Sequence, residues 1–380
     1  MVQRDAPFIA PFMESPIKYP ITRLPDYPIT QMRLAVIPGD GIGVETTAEA
    51  VKAVRAVGDV FGHRFDIETL PWSADHFLRT GVTMPPNGYA MLRDDFDAIF
   101  IGALGDPRVP DNRHARDILL GTRFELDLYV NYRPVKLLDA RLCPLKDRSV
   151  ADVNFVVFRE NTEGLYVGIG GRFKAGTEDE VAIQEELNTF KGVNRIVRHA
   201  FAYAKSHGLT KVCMADKSNA MQQGHALWQR VFKQVASEYP GIQATHYYID
   251  ALAMYMVLDP GQFEVIVTNN LFGDIVTDLG ATFQGGLGMA ASGNIHPGQT
   301  SMFEPVHGSA PKFAGKNIAN PIGAIASAAL MLETLGLTNE AAAIDAAILK
   351  AVKENQGTPD IGGKLGTVEA GTYIANQIHP

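Results

Sequence analysis

Short apolar runs bounded by turn residues recur along the chain, with stretches of helical periodicity between most of them, and this alternation constrains the fold more than any other feature. The run LAVIP between Arg33 and Gly39 is rich in branched residues and ends in Pro-Gly, which predicts a first strand and turn. Residues 46–61 follow with Val51, Val54, Val57 and Phe61 on one stripe, the signature of a helix. Further continuous apolar runs lie at 97–106, 155–160, 211–216 and 263–269, and helical segments at 192–206, 222–239 and 324–335. Strands apolar on both faces and alternating with helices predict an α/β fold with a largely parallel sheet. A Gly-rich stretch at 167–176 and the acidic run at 178–186 break the rhythm and read as a surface loop or a protruding hairpin arm.

A chain of 380 residues is too long for one small domain, so two domains or one unusually large one are expected. A formal charge of -8 argues against general nucleic-acid or anionic-membrane binding. No window approaches the roughly 18 apolar residues of a membrane span. Cys143 and Cys213 are too few and too far apart for a disulfide scaffold or a metal set, which favours a reducing cytoplasm. Residues 1–31 are Pro-rich and lack the basic start and apolar stretch of a secretory signal; they read as an extended surface segment or a mobile one.

Several clusters carry chemistry. The turn PGDGIG (residues 38–43) follows the first strand, but Val44 stands where the dinucleotide fingerprint needs its third glycine. Its backbone N–H groups can still approach a ligand, and a tight turn explains it equally well. Arg123 and Arg133, ten positions apart across a helix end and a strand, can converge on one carboxylate, with Arg159 joining from the next strand. Tyr166 offers a phenol as proton donor, and Lys217, at the end of an apolar run, an amine suited to act as a base. Asp274 and Asp278 are spaced i, i+4 on one helix face, and Asp250 adds a third carboxylate. Stacked carboxylates repel unless a cation intervenes, and hard oxygen donors select Mg²⁺ or Mn²⁺. Residues 301–321 read as one long Gly/Pro/Ala loop in which His307 and Asn320 offer hydrogen bonds suited to an adenine edge, and Lys312 can meet a phosphate or solvent.

In this order the pieces PGDGIG, RFELDLYVNYRP, FRENTEGLY, DKSN, NNLFGDIVTD and EPVHGSAPKFAGKNIANP resemble the β-decarboxylating dehydrogenases of isocitrate, 3-isopropylmalate, homoisocitrate and tartrate/D-malate, over residues 32–377. The resemblance implies a two-domain α/β fold of isopropylmalate-dehydrogenase type, not a Rossmann fold, with a dimer arm. Residues 32–128 and 285–380 would form a cofactor-binding domain and residues 129–284 a central substrate, metal and dimerisation domain. It implies a homodimer with shared active sites and a small-molecule substrate. Arg123, Arg133 and Arg159 would hold substrate carboxylates, Tyr166 would be the acid, and Lys217, from the partner subunit, the base. Asp274 and Asp278 would ligate Mg²⁺ or Mn²⁺ with Asp250 of the partner subunit. Asn219, Glu304, His307, Gly308, Lys312 and Asn320 would lie along the nicotinamide cofactor, as would the PGDGIG turn.

Leu119 and Leu120 precede the first substrate arginine, where users of tricarboxylates place a polar or cationic residue. They argue against isocitrate and homoisocitrate and for an isopropyl pocket, with tartrate or D-malate as the alternative substrate. NAD-using relatives carry Asp after HGSAP. Lys312 stands there instead, which keeps NADP open, while the segment TPDIGG (358–363) resembles the NAD enzymes. The reading is therefore an NAD-dependent β-decarboxylating dehydrogenase acting on 3-isopropylmalate. A catalytically silent regulatory subunit and a metal-free hydroxyacid dehydrogenase are the competing classes, and retention of the acid, base and metal carboxylates speaks against the first.

Overall fold

The computed structural model describes residues 31–380, so the expectation for the Pro-rich residues 1–30 lies outside the described residues. Its strands are β1 (Gln31–Gly39), β2 (Arg64–Thr69), β3 (Ala98–Ala103), β4 (Val130–Lys136), β5 (Asn154–Glu160), β6 (Gly170–Phe173), β7 (Val181–Gln184), β8 (Lys211–Asp216), β9 (Gln243–Tyr248), β10 (Val265–Thr268), β11 (Ala291–Ile295) and β12 (Ser301–Pro305). All but β6 and β7 join one sheet in the order β2-β1-β3-β12-β11-β4-β5-β10-β8-β9. The outer pairs are parallel, and β12/β11, β11/β4 and β4/β5, at the centre, are antiparallel. This mixed order is not that of a Rossmann sheet.

The continuous apolar runs are explained by burial on both faces. Along β1, Leu34 and Val36 enter one core with the helices Ile42–Phe61 and Ile322–Thr334, while Ala35 and Ile37 enter a second with Trp72 and Leu92. Along β5, Val156 and Phe158 face the first core, and Phe155 and Val157 a third, beneath the helices Ile249–Leu258 and Asn270–Phe283. Alternate side chains of one strand thus serve two layers. The Gly-rich break in the pattern is the antiparallel hairpin β6/β7, all of it exposed, with Phe173 and Ile183 in solvent. Among the described residues no helix is long and apolar enough to cross a membrane, and Cys143 and Cys213 are both free thiols.

One expectation needs correction. Residues 301–305 are not loop: they form β12, wholly buried between β3 and β11. Their Ser, Glu and Pro hid a strand whose polar side chains are satisfied internally. Of the two readings left open for the PGDGIG turn, the tight turn is supported by three of its N–H groups. Those of Asp40, Ile42 and Gly43 bond to the carbonyls of Ala103, Ser309 and Asp40. A Cβ on Gly41, which has φ 58°, would lie 2.0 Å from the Ser309 carbonyl oxygen, so this glycine serves a close backbone approach.

Asp40, buried at the centre of that turn, accepts hydrogen bonds from Ala74 N at 2.7 Å and Gly105 N at 2.8 Å, and its Oδ2 lies 2.9 Å from His114 Nε2. It ties the end of β1 to the segments after β2 and β3. Asp40→Ala strands these buried partners and is expected to cost about 3–5 kcal/mol in chemical denaturation; a loss within 1 kcal/mol, about the range of a surface change, would contradict this role.

Candidate active site

Antiparallel β4 and β5 place Asn131 opposite Arg159 and Arg133 opposite Val157, so Arg133 and Arg159 are diagonal neighbours on one face. Over that face lies the helix Asn270–Phe283, capped by Asn269, whose Oδ1 accepts from Phe272 N at 2.9 Å. Gly273 lets it settle there, because a Cβ would come within 2.5 Å of the Arg159 side chain. Arg123 approaches from the short helix Thr122–Glu125. All three arginines are buried.

Their partners are mostly on the helix. Asp274 Oδ1 accepts from Arg159 Nη1 at 2.6 Å and lies 3.3 Å from Arg133 Nη1. Asn270 Oδ1 accepts both Arg159 Nε and Nη2, and Arg133 donates to Thr277 Oγ1 at 2.6 Å. Arg123 pairs with Glu304 at 2.7 Å, and Glu304 also accepts from Asn294. Arg123 Nε and Arg133 Nε are buried without an acceptor. Burial, together with the charge of Arg133, lowers Arg159 to about 9 against the opposing pull of Asp274. The cluster is therefore short of negative charge, as an anion site should be.

Tyr166 sits on the turn Leu165–Val167, and its hydroxyl donates to Asp274 Oδ2 at 3.1 Å. Burial and the Asp274 charge raise its pKa, outweighing Arg159, and the phenol keeps its proton. Burial pushes the Asp274 carboxyl up, but Arg159 and Arg133 hold it below its usual range. Asp278, four residues on, is shifted up by burial, with Asp274 adding to the rise and Arg133 opposing it. These two carboxylates offer hard oxygen donors and repel each other, which fits a divalent cation.

Lys217 and Asp250 form a second group. Lys217 Nζ lies 2.5 Å from Asp250 Oδ1, with side-chain exposures of 28% and 67%. Neither has a hydrogen bond or ion pair to Tyr166, Asp274 or Asp278. Among the described residues of one chain, no three His, Cys, Asp or Glu gather as a metal site. Asn219 lies exposed in the turn after Lys217.

The remaining cofactor candidates, apart from Glu304 on β12, lie on the following segment. His307 Nδ1 is 3.1 Å from the Gly308 carbonyl, which can only accept, so Nδ1 carries the proton and Nε2 is a bare acceptor. Nε2 is buried without a partner, and burial lowers the imidazole pKa, keeping the ring neutral. An N–H donor such as an adenine amino group would satisfy it. Asn320 is less free: its amide nitrogen bonds to Asp360 Oδ2 at 3.0 Å and its oxygen to Ile322 N. Gly308 and Lys312 are exposed, the Lys312 ammonium 4.8 Å from the centre of the Phe313 ring.

Leu119 and Leu120 lie on a π-helical turn, Arg116–Gly121, directly before the Arg123 helix. Leu119 leans on the second core. Leu120, three residues before Arg123, is half-buried and has no place in any core cluster. Sequence reasoning missed Asn270 and Thr277. The one usable signal was the Asn pair opening the Asp274 helix.

The chain matches the isocitrate/isopropylmalate dehydrogenase family over residues 33–375. It is 44% identical over 349 residues to a 3-isopropylmalate dehydrogenase of Thermobifida fusca, covering 91% of this chain and 98% of that one. A 3-isopropylmalate dehydrogenase of Corynebacterium kroppenstedtii is 47% identical over 350 residues, with 91% and 99% covered. Among solved structures, isocitrate dehydrogenase from Methylococcus capsulatus superposes with a TM-score of 0.82 at 34% identity, covering 92% of this chain and all of that one. The TT0538 protein from Thermus thermophilus gives 0.79 at 35% identity, covering 92% and 68%. On this evidence of sequence and fold together, the chain belongs to the isocitrate/isopropylmalate dehydrogenase family.

Proposed function

We propose that the protein oxidises and decarboxylates a malate-type 2-hydroxy acid, 3-isopropylmalate, using NAD and Mg²⁺ or Mn²⁺. The observation that carries this is the meeting of three buried arginines with Tyr166 and Asp274, the apolar Leu120 standing three residues before Arg123 in the chain. The arginines bind the substrate's two carboxylates. Leu120 takes its isopropyl group, and the names of the relatives at 44–47% identity agree.

Asp274 and Asp278 of one chain would hold the metal with the partner subunit's Asp250, and His307 would meet the cofactor with its free Nε2. When bound, these groups supply Lewis-acid stabilisation of charge on the substrate oxygen and an acceptor for the hydride. The chain's residues do the rest. The partner subunit's Lys217 takes the C2 hydroxyl proton, the arginines fix the carboxylate that leaves as carbon dioxide, and Tyr166 returns a proton to carbon.

Sharing between two copies would account for the separation of Lys217 and Asp250 from Tyr166 and Asp274. It is supported by apolar side chains exposed beside them, Met254, Val257 and Leu258 on the Asp250 helix and Ile275 next to Asp274. Residues 32–128 with 285–380, and 129–284, are the two proposed domains. The first contributes β1, β2, β3, β11 and β12, the second the other five sheet strands.

The deciding experiment is a panel of 3-isopropylmalate, D-malate, tartrate and isocitrate with NAD⁺ and NADP⁺, each with and without Mg²⁺. The highest kcat/KM is expected for 3-isopropylmalate with NAD⁺, and no turnover in EDTA. Preference for D-malate or tartrate would replace the substrate, preference for NADP⁺ the cofactor, and EDTA-insensitive turnover the metal.

Tyr166→Phe and Lys217→Ala should each lower kcat about 10²-fold or more. Mixed and reassociated, the two inactive variants should recover up to about a quarter of wild-type activity, because half the dimers are mixed and each holds one intact site. No recovery, under conditions where subunits exchange, would show that each chain works alone.

Leu120→Arg should raise KM for 3-isopropylmalate about tenfold or more, since a cation replaces the apolar contact of the isopropyl group. An unchanged substrate profile would remove Leu120 from the pocket.

A further inference from the structure

On the face of the sheet opposite the arginines lies a cavity of about 970 Å³. It straddles the seam where β11 meets β4. One wall comes from the helices Ile322–Thr334 and Thr338–Lys353, the other from β4, β5 and the end of the helix Phe190–Ser206. Ala326, Ala329, Leu330, Ala341 and Ala342 give it an apolar surface. Nothing in the proposed reaction uses it.

Its rim carries Lys353, Glu264 and His207, the last close enough to act on Glu333, and its other charged groups are opposed but not joined. Glu333 and Asp345 line it, and neither has a hydrogen bond or an ion pair within 4.0 Å among the described residues. Lys136 also lines it, near enough for its charge to act on both carboxylates, yet its ammonium pairs with neither. Beside Lys136, Gln284 is 4% exposed; its Oε1 accepts from Lys136 N at 2.8 Å, while its Nε2 has no acceptor. The buried Gln284 amide N–H, which has no acceptor, therefore shares one cavity with the exposed ammonium of Lys136 and two exposed carboxylates, none of them paired with another protein group among the described residues, and alanine and leucine side chains lie alongside.

We propose that this cavity is a second ligand site, for an aliphatic α-amino acid. Its carboxylate would lie toward Lys136 Nζ and Gln284 Nε2, its ammonium toward Glu333 and Asp345, and its side chain on the alanine-rich wall. A zwitterion bridges the gap that the protein's own charges leave open. A simple cation would leave the buried Gln284 N–H without an acceptor, and a simple anion would meet the two carboxylates unfavourably. The site also touches the catalytic face. Along β4, Tyr132, Pro134 and Lys136 line the cavity, while Arg133 between them faces the opposite way, to Asp274 and Thr277. The inference does not rest on the proposed reaction.

Isothermal titration of the full-length protein with L-leucine, 3-methylbutylamine and 4-methylpentanoate tests it, since the last two are leucine without its carboxylate and without its ammonium. L-leucine is expected to bind once per chain, and each analogue about tenfold more weakly or worse. The double substitution Glu333→Gln, Asp345→Asn, at exposed positions, should abolish leucine binding with thermal unfolding unchanged. Competition with 3-isopropylmalate locates the bound leucine and should be absent. No binding, equal affinity for either analogue, retention of binding in the double variant, or displacement by 3-isopropylmalate would each overturn the proposal.

Discussion

Burying three guanidinium groups in one place is the constraint around which the catalytic face is arranged. A buried charge without a partner is costly by several kcal/mol, and here Arg133 and Arg159 also repel each other. The protein answers with two kinds of partner. Asp274 and Glu304 bring charge, one to Arg159 and Arg133, the other to Arg123. Asn270 and Thr277 bring neutral oxygens, which fix the direction of Arg159 and Arg133 without cancelling their charge. A carboxylate in place of Asn270 would hold Arg159 as well but would leave less attraction for an incoming anion. The choice of neutral acceptors is therefore what leaves the cluster electropositive.

The same economy explains the polar centre of the sheet. Asn131, Asn161, Ser292, Asn294 and Glu304 are all buried, and they bond to one another: Asn131 to Ser292 and Asn294, Asn161 to Asn294, and Asn294 to Glu304. This chain crosses the antiparallel strands β12, β11 and β4 and ends on Arg123. A satisfied polar network in the interior rigidifies what it joins. It supports Arg123 across the seam between the strand sets, where apolar packing alone would permit more than one arrangement.

That network also marks where the sequence became unreadable. Strands β1, β3, β5, β8 and β10 were legible because both their faces are buried, so each prints as a continuous apolar run. Strand β12 reads as SMFEP and β11 as ASGNI, both wholly buried yet polar at every second or third place. The polar side chains of β11 meet Asn131 and Asn161, and Glu304 of β12 meets Arg123, all more than a hundred residues away, and no local pattern reports a distant partner. The edge strands β2 and β9 are largely exposed and failed to register for the opposite reason. At the site, Asp274 and Asp278 announced themselves through helical spacing, and the arginines through chemistry that suits carboxylates. Asn270 and Thr277 are ordinary helix residues until Arg159 and Arg133 are seen against them. In the PGDGIG turn the glycines were legible but their purpose was not, since Ser309, which Gly41 accommodates, and Ala103, which Gly39 and Gly43 accommodate, are remote in the chain.

Within one chain Asp274 is fully engaged by Arg159, Arg133 and the Tyr166 hydroxyl. In the proposed reaction the substrate carboxylate would compete with Asp274 for the arginines, and a cation would compete with the arginines for Asp274. Each arrival therefore frees a partner for the other, so that anion and cation favour one another at this spot. The Lys217–Asp250 pair stands in the same relation on the other group. Its members are held in solvent by each other, and an exposed ion pair of this kind adds little to stability. Separating them costs little, which suits two residues whose proposed targets lie on a second copy. The chain thus keeps its reactive charges satisfied internally by contacts that the complete site can exchange.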